Sequence, residues 1–152
     1  MKNLIDLEKK INSELTTKIN KTSIKHNQIY IEIDKEDLID VLLFVKTNKD
    51  AKFRQLIDIT VVDYPEELQR FKIVYLLLSH EFNQRMILSY FINEKEVISS
   101  ITSIFPSANW MEREVFDMLK FTPYMSKTSL SIQFADGKID VMEDITSFSF
   151  IK

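Results

Sequence analysis

The runs LIDITVVDY, FKIVYLLLS and RMILSYFI follow one another through the middle of the chain, separated only by short polar breaks. No other feature restricts the fold as much, because segments this rich in β-branched and aromatic residues pack best on a pleated surface. In the first, Ile57, Ile59 and Val61 alternate with Asp58 and Thr60, which predicts a strand with one buried face. FKIVYLLLS is apolar on both faces, the pattern of a central strand, and Glu81-Phe82-Asn83-Gln84 separates it from the third run. Tyr64-Pro65-Glu66-Glu67 ends the first run. Three such strands joined by short turns predict an antiparallel meander.

Helical spacing flanks these strands. Leu4, Leu7, Ile11, Leu15 and Ile19 predict an amphipathic helix with Lys and Glu outward. Ile29, Ile31 and Ile33 alternate with Tyr30 and Glu32, predicting a strand paired with Thr22–Lys25 across a His26-Asn27 turn. Asp34 stands where a cap belongs, and Leu38, Val41, Leu42 and Val45 form the buried face of a second helix. Val97, Ile98, Ile101 and Ile104 predict a third helix over Glu94–Phe105, stopped by Pro106. Beyond Phe121 the pattern weakens to a strand at SLSIQF, a turn at Ala135-Asp136-Gly137-Lys138 and a returning strand in IDVMEDITSFSFI. Together these elements predict an α+β fold: a mixed, largely antiparallel sheet with helices packed on it.

Charge and composition then narrow the function. With 152 residues, 45% of them hydrophobic, the chain has the material for one domain with a real core. A net charge of -3 gives no broad positive field, so nucleic acid is not an expected partner. There is no cysteine, which removes disulfides, thiolate zinc sites and Cys-ligated iron–sulfur clusters. The longest apolar runs fall far short of the ~20 residues that span a bilayer, so a soluble chain is expected. The N-terminus MKNLIDLEKKINSEL carries frequent acidic residues and no small-residue cleavage site, so no targeting segment is expected.

The densest chemistry lies in SANWMEREVFDM, Ser107 to Met118. Asn109 as cap with Glu112 three residues on reads as a capping box, and Met111, Val115, Met118 and Leu119 form an apolar stripe. On that helix Glu112 and Glu114 point in different directions, whereas Arg113 and Asp117 are neighbours placed to pair. Such spacing suits a contact surface better than a two-carboxylate catalytic site. Trp110 suits a core or interface anchor, mostly apolar with one polar edge. Elsewhere Asp58, Asp63, Arg70, Arg85, His26 and His80 read as solvent-facing or turn residues, and Gly137 as a turn residue with no phosphate-cradling loop around it. A hydrolase using Glu112 or Glu114 as general base is the rival from another class; it requires a nucleophile or metal beside the helix.

Four ordered segments resemble the 30 kDa-type subunit, also called the C subunit, of respiratory complex I, the proton-pumping NADH:quinone oxidoreductase. They are LIDITVVDYP (Leu56–Pro65), RFKIVYLLLS (Arg70–Ser79), NQRMIL (Asn83–Leu88), and an ungapped block of Pro106, Ala108, Trp110, Glu112, Arg113, Glu114, Phe116, Asp117 and Met118. The resemblance runs from about Phe53 to Met118, dividing the chain into a domain similar to that complex I subunit at 1–121 and a divergent segment at 122–152. There Leu119-Lys120-Phe121 replaces the family's glycine step, and its following His-Pro segment has no counterpart. The resemblance implies a non-catalytic building block with no cofactor of its own, the flavin, iron–sulfur clusters and quinone pocket lying in partner subunits. It implies docking to other peripheral-arm subunits, chiefly the quinone-site subunit, with Pro106, Trp110, Glu112, Arg113, Glu114, Asp117 and Met118 as the contact signature. It further implies a place peripheral to the inner membrane, on the bacterial cytoplasmic or mitochondrial matrix side, reaching the membrane only through the complex. The equivalent subunit of a membrane-bound hydrogenase-type complex is the alternative within the same fold.

Overall fold

The computed structural model describes residues 4–93, 96–120 and 133–135. In chain order the elements are α1 (Leu4–Glu14), β1 (Lys21–Lys25), β2 (Gln28–Glu32), α2 (Leu38–Thr47), β3 (Gln55–Asp63), β4 (Phe71–Ser79), β5 (Gln84–Ile92), β6 (Val97–Ser99), α3 (Ala108–Lys120) and β7 (Gln133–Ala135). Five strands form one sheet in the order β1-β2-β5-β4-β3, and β6 pairs with β7 in a second, parallel pair. This is the expected α+β architecture. β3, β4 and β5 are the predicted antiparallel meander, with Tyr75 opposite Leu88 and Ile59 opposite Tyr75. The mixed character comes from β2, which lies parallel to β5 and sets Ile29 against Met86 and Ile31 against Leu88.

Register decides which face is buried. Ile29, Ile31, Phe71, Ile73, Tyr75, Leu77, Met86, Leu88, Tyr90 and Ile92 project to one side and form a single core with Leu7 and Ile11 of α1, Leu38, Val41, Leu42 and Val45 of α2, and Val115 of α3. The buried set of α2 is the one its spacing predicts. On the other side of β4, Lys72, Val74, Leu76 and Leu78 are only half-buried.

The β1–β2 hairpin turns on His26 and Asn27, both at positive φ (48° and 59°). A two-residue connection with both central residues left-handed is the turn whose twist matches the strands, and Asn-Gly fills it best. Changing His26→Asn together with Asn27→Gly should therefore raise stability by about 1 kcal/mol, read as a higher urea midpoint at unchanged slope.

Four expectations need correction. In β3 the pairing slips between Leu56 and Asp58, so Ile57 is 38% exposed while Leu56 and Ile59 are buried. The extra residue of a bulge moves the inward set off the simple alternation of Ile57, Ile59 and Val61. Asp34 makes no side-chain cap bond; it accepts from the Asn20 amide at 2.8 Å, and a 3₁₀ turn at Lys35–Asp37 leads into α2. From residue 96 on, where it is described, the predicted helix over Glu94–Phe105 is instead β6 followed by one turn, in which the amides of Ile104 and Phe105 both donate to the carbonyl of Ile101. The helical spacing of apolar residues there is a strand's alternation, Val97 out and Ile98 in, running into that single turn. Helix α1 ends at Glu14, although Leu15 beyond it is still buried. The turn around Gly137 and the returning strand after it lie outside the described residues.

Candidate functional site

Helix α3 carries the signature block. Ala108 and Val115 are buried and Met111 packs partly against the core, so one stripe fixes the helix to the domain. The carbonyl of Phe105 accepts from the Ala108 amide at 2.9 Å, and Lys46 of α2 donates to the carbonyl of Ile104 while lying 4.9 Å from the centre of the Phe105 ring. The entry to the helix is thereby tied to its neighbour in the fold.

Glu112 faces inward. It is 2% exposed, one carboxylate oxygen accepts from the Ile101 amide at 2.8 Å, and the other accepts from the Ser100 hydroxyl at 2.8 Å. Ser100 in turn lies 2.9 Å from the Thr102 hydroxyl, extending the chain of hydrogen bonds. A capping box would have sent this side chain back along its own helix; it reaches across to the turn that follows β6 instead. The reason is supply: the turn presents a main-chain N–H and a hydroxyl in a water-poor interior, where an unsatisfied donor is costly.

The outward face is different. Trp110 is 73% exposed, and the Arg113 guanidinium sits over its ring, 5.4 Å from the centroid. Trp110 is thus no core residue, and Arg113 lies on the ring rather than on Asp117 as the spacing suggested. Glu114, Asp117 and Pro106 are exposed as well. Met118 lies within α3, and its side chain is outside the described residues.

Behind α3, two buried tyrosines meet. The hydroxyls of Tyr75 and Tyr90 are 3.0 Å apart and the rings stack at 5.9 Å. Burial pushes both phenols above their ordinary range, and the Glu112 charge adds to the effect on each. Alternation along β4 and β5 places both rings on the core side, yet their meeting depends on strand register, which no local pattern reveals.

The remaining candidates separate. Arg70 is not a free surface arginine: it grips Asp63 through two contacts at 2.6 and 2.8 Å, closing the base of the β3–β4 loop. Arg85 pairs across from Leu78 at the opposite end of the sheet and is exposed. Asp58 accepts from the Ile59 amide beside the bulge. His80 contacts Gln55, and His26 is held in the hairpin turn. Among the described residues, no three His, Asp or Glu side chains converge as metal ligands.

Fold and helix together define an α+β domain with one signature helix, anchored by a buried carboxylate and showing an aromatic, charged face to solvent. The sequence matches the family described as the respiratory-chain NADH dehydrogenase 30 Kd subunit over residues 31–123, and the chain belongs to it. The NADH-quinone oxidoreductase C subunit of Dinoroseobacter shibae is 44% identical over 97 residues, covering 64% of this chain and 45% of that one. Its counterpart in Hyphomonas neptunium is 31% identical over 147 residues, covering 97% of this chain and 67% of that one. The chain spans about half the length of the first relatives it matches. A chain from the membrane-bound sulfane sulfur reductase, an archaeal respiratory membrane complex, superposes with a TM-score of 0.71 at 17% identity, covering 91% of this chain and 75% of that one. At that identity the likeness is one of fold.

Proposed function

We propose that the chain is a structural, non-catalytic subunit of the peripheral arm of a proton-pumping NADH:quinone oxidoreductase, docking beside the quinone-reducing subunit through the outward face of α3. The observation that carries this is Trp110, held in the open under the Arg113 guanidinium. Trp and Arg are the residues most enriched where binding energy concentrates, and a ring already stacked by its neighbour loses little freedom on contact. Family membership supplies the assembly, and the relatives, as NADH-quinone oxidoreductase subunits, supply NADH and quinone as its substrates.

The iron–sulfur clusters are assigned to partner subunits, because a chain without cysteine cannot hold one by thiolates. No described helix is long and apolar enough to cross a membrane, which accords with attachment through the complex, peripheral to the inner membrane on the cytoplasmic or matrix side. The hydrolase reading loses its best base, since both oxygens of Glu112 are engaged inside the fold. A hydrogenase-type assembly has the weaker support: the chain of the archaeal sulfane sulfur reductase is alike in fold at 17% identity, against 44% identity to a quinone oxidoreductase subunit.

The test is affinity purification of the tagged chain from membranes. Peripheral-arm subunits are expected to come with it, and Trp110→Ala should weaken that association by roughly 2 kcal/mol, about thirtyfold, while leaving the melting temperature unchanged. Recovery of the chain alone rejects the subunit reading; undiminished recovery with Trp110→Ala rejects the docking face.

A further inference from the structure

The β3–β4 loop, Tyr64 to Arg70, presents an apolar tip apart from the signature helix. Its tip carries Leu68 at 97% exposure, the most exposed large apolar side chain among the described residues. Single exposed leucines are ordinary, but this one is held out on a braced support. The Asp63–Arg70 clamp closes the base of the loop, the Tyr64 amide donates to the Arg70 carbonyl at 2.7 Å, and the Glu67 amide donates to the Tyr64 carbonyl at 3.0 Å. Tyr64 and Val62, at 41% and 39% exposure, continue the apolar surface at the loop's foot, where the Tyr64 ring lies 6.1 Å from that of Phe91. Glu66 and Glu67 immediately precede the leucine, both exposed and neither side chain with a partner among the described residues.

We infer that the Tyr64–Leu68 tip is a second docking element, a preformed plug that seats Leu68 in an apolar socket rimmed by Lys or Arg on another protein subunit. This rests on the reading of the chain as a subunit of a larger assembly, and concerns a surface apart from α3. Charge selects the occupant: two unpaired carboxylates beside one apolar anchor match a basic-rimmed socket, and they are repelled by an anionic bilayer. The bracing serves affinity, because a loop already fixed in its docking shape gives up little entropy on binding.

A photo-cross-linking amino acid placed at position 68, and separately at position 110, in the full chain within native membranes tests this. The inference expects position 68 to join another protein subunit at an apolar segment bearing Lys or Arg, and Glu66→Lys with Glu67→Lys to cut that product about tenfold or more. Cross-links from 68 only to lipid, only to a second copy of this chain, or to nothing overturn it, as does a charge-reversed pair that cross-links undiminished. If position 110 joins an arm subunit while 68 does not, the loop inference fails and the assembly reading stands. If neither joins another subunit, both fail.

Discussion

Replacing Glu112 with alanine should cost about 3–5 kcal/mol of folding free energy, the sum of the two hydrogen bonds its carboxylate accepts and the Ile101 amide left unpaired in the interior. The carboxylate accepts from the Ile101 amide and the Ser100 hydroxyl at 2.8 Å each; both residues are buried, and Ser100 alone of the two keeps a hydroxyl neighbour, that of Thr102 at 2.9 Å. Against a usual total of roughly 5–15 kcal/mol, that is enough to unfold a marginal domain. In a thermal melt it corresponds to a drop on the order of 10 °C. Glu114→Ala, two positions away and exposed, should stay within about 0.5 kcal/mol of the parent. Glu112→Gln retains one acceptor oxygen for the Ile101 amide and should fall between the two. Urea denaturation of the three variants decides the matter: a loss under about 1 kcal/mol for Glu112→Ala would show that the brace between α3 and the turn after β6 is not needed.

This changes how the signature block divides. In sequence Glu112, Arg113 and Glu114 look like one charged unit, but in the fold Glu112 belongs to the interior and Arg113 to the surface. A defect in assembly caused by Glu112→Ala would report lost folding, whereas one caused by Trp110→Ala would report lost contact. The two need stability measurements beside them to be told apart.

What was legible in the sequence follows from how local each cause is. The hairpin at His26-Asn27, the inward face of α2 and the β3–β4–β5 meander are written in neighbouring residues, and all three appear as expected. The parallel pairing of β2 with β5 joins residues more than fifty positions apart, and no periodicity encodes it. The bulge left a trace that alternation alone overlooks: Leu56 and Ile59, the two buried residues, are three apart rather than two. Glu112 misled because a carboxylate three residues after a possible cap is the same string whether it reaches back to its own helix or across to Ser100. Arg70 and Asp63 are seven apart in sequence, and only the closed loop between them makes them partners.

In alkaline solution the domain should lose stability steeply, and the cause should trace to Tyr75 and Tyr90. A phenol is neutral when protonated, so burial favours the protonated form, and both groups are held above the ordinary value of 10 by desolvation first. Because they keep their protons in the folded state and release them in the unfolded state from about pH 10 upward, stability is fully present below that pH and falls above it. Each tyrosine contributes a slope of about 1.4 kcal/mol per pH unit, so the pair removes about 3 kcal/mol by roughly pH 11. Changing both to phenylalanine deletes the ionisation while keeping the rings. Over the same interval that variant should lose about 3 kcal/mol less than the parent, although it starts lower for want of the 3.0 Å hydroxyl contact. Phenolate absorbance gives an independent reading: of the five tyrosines in the chain, Tyr75 and Tyr90 should ionise only as the protein unfolds. Parallel stability curves for parent and variant, or free titration of all five in the folded state, would mean that the two hydroxyls exchange with water and that the space behind α3 is not closed.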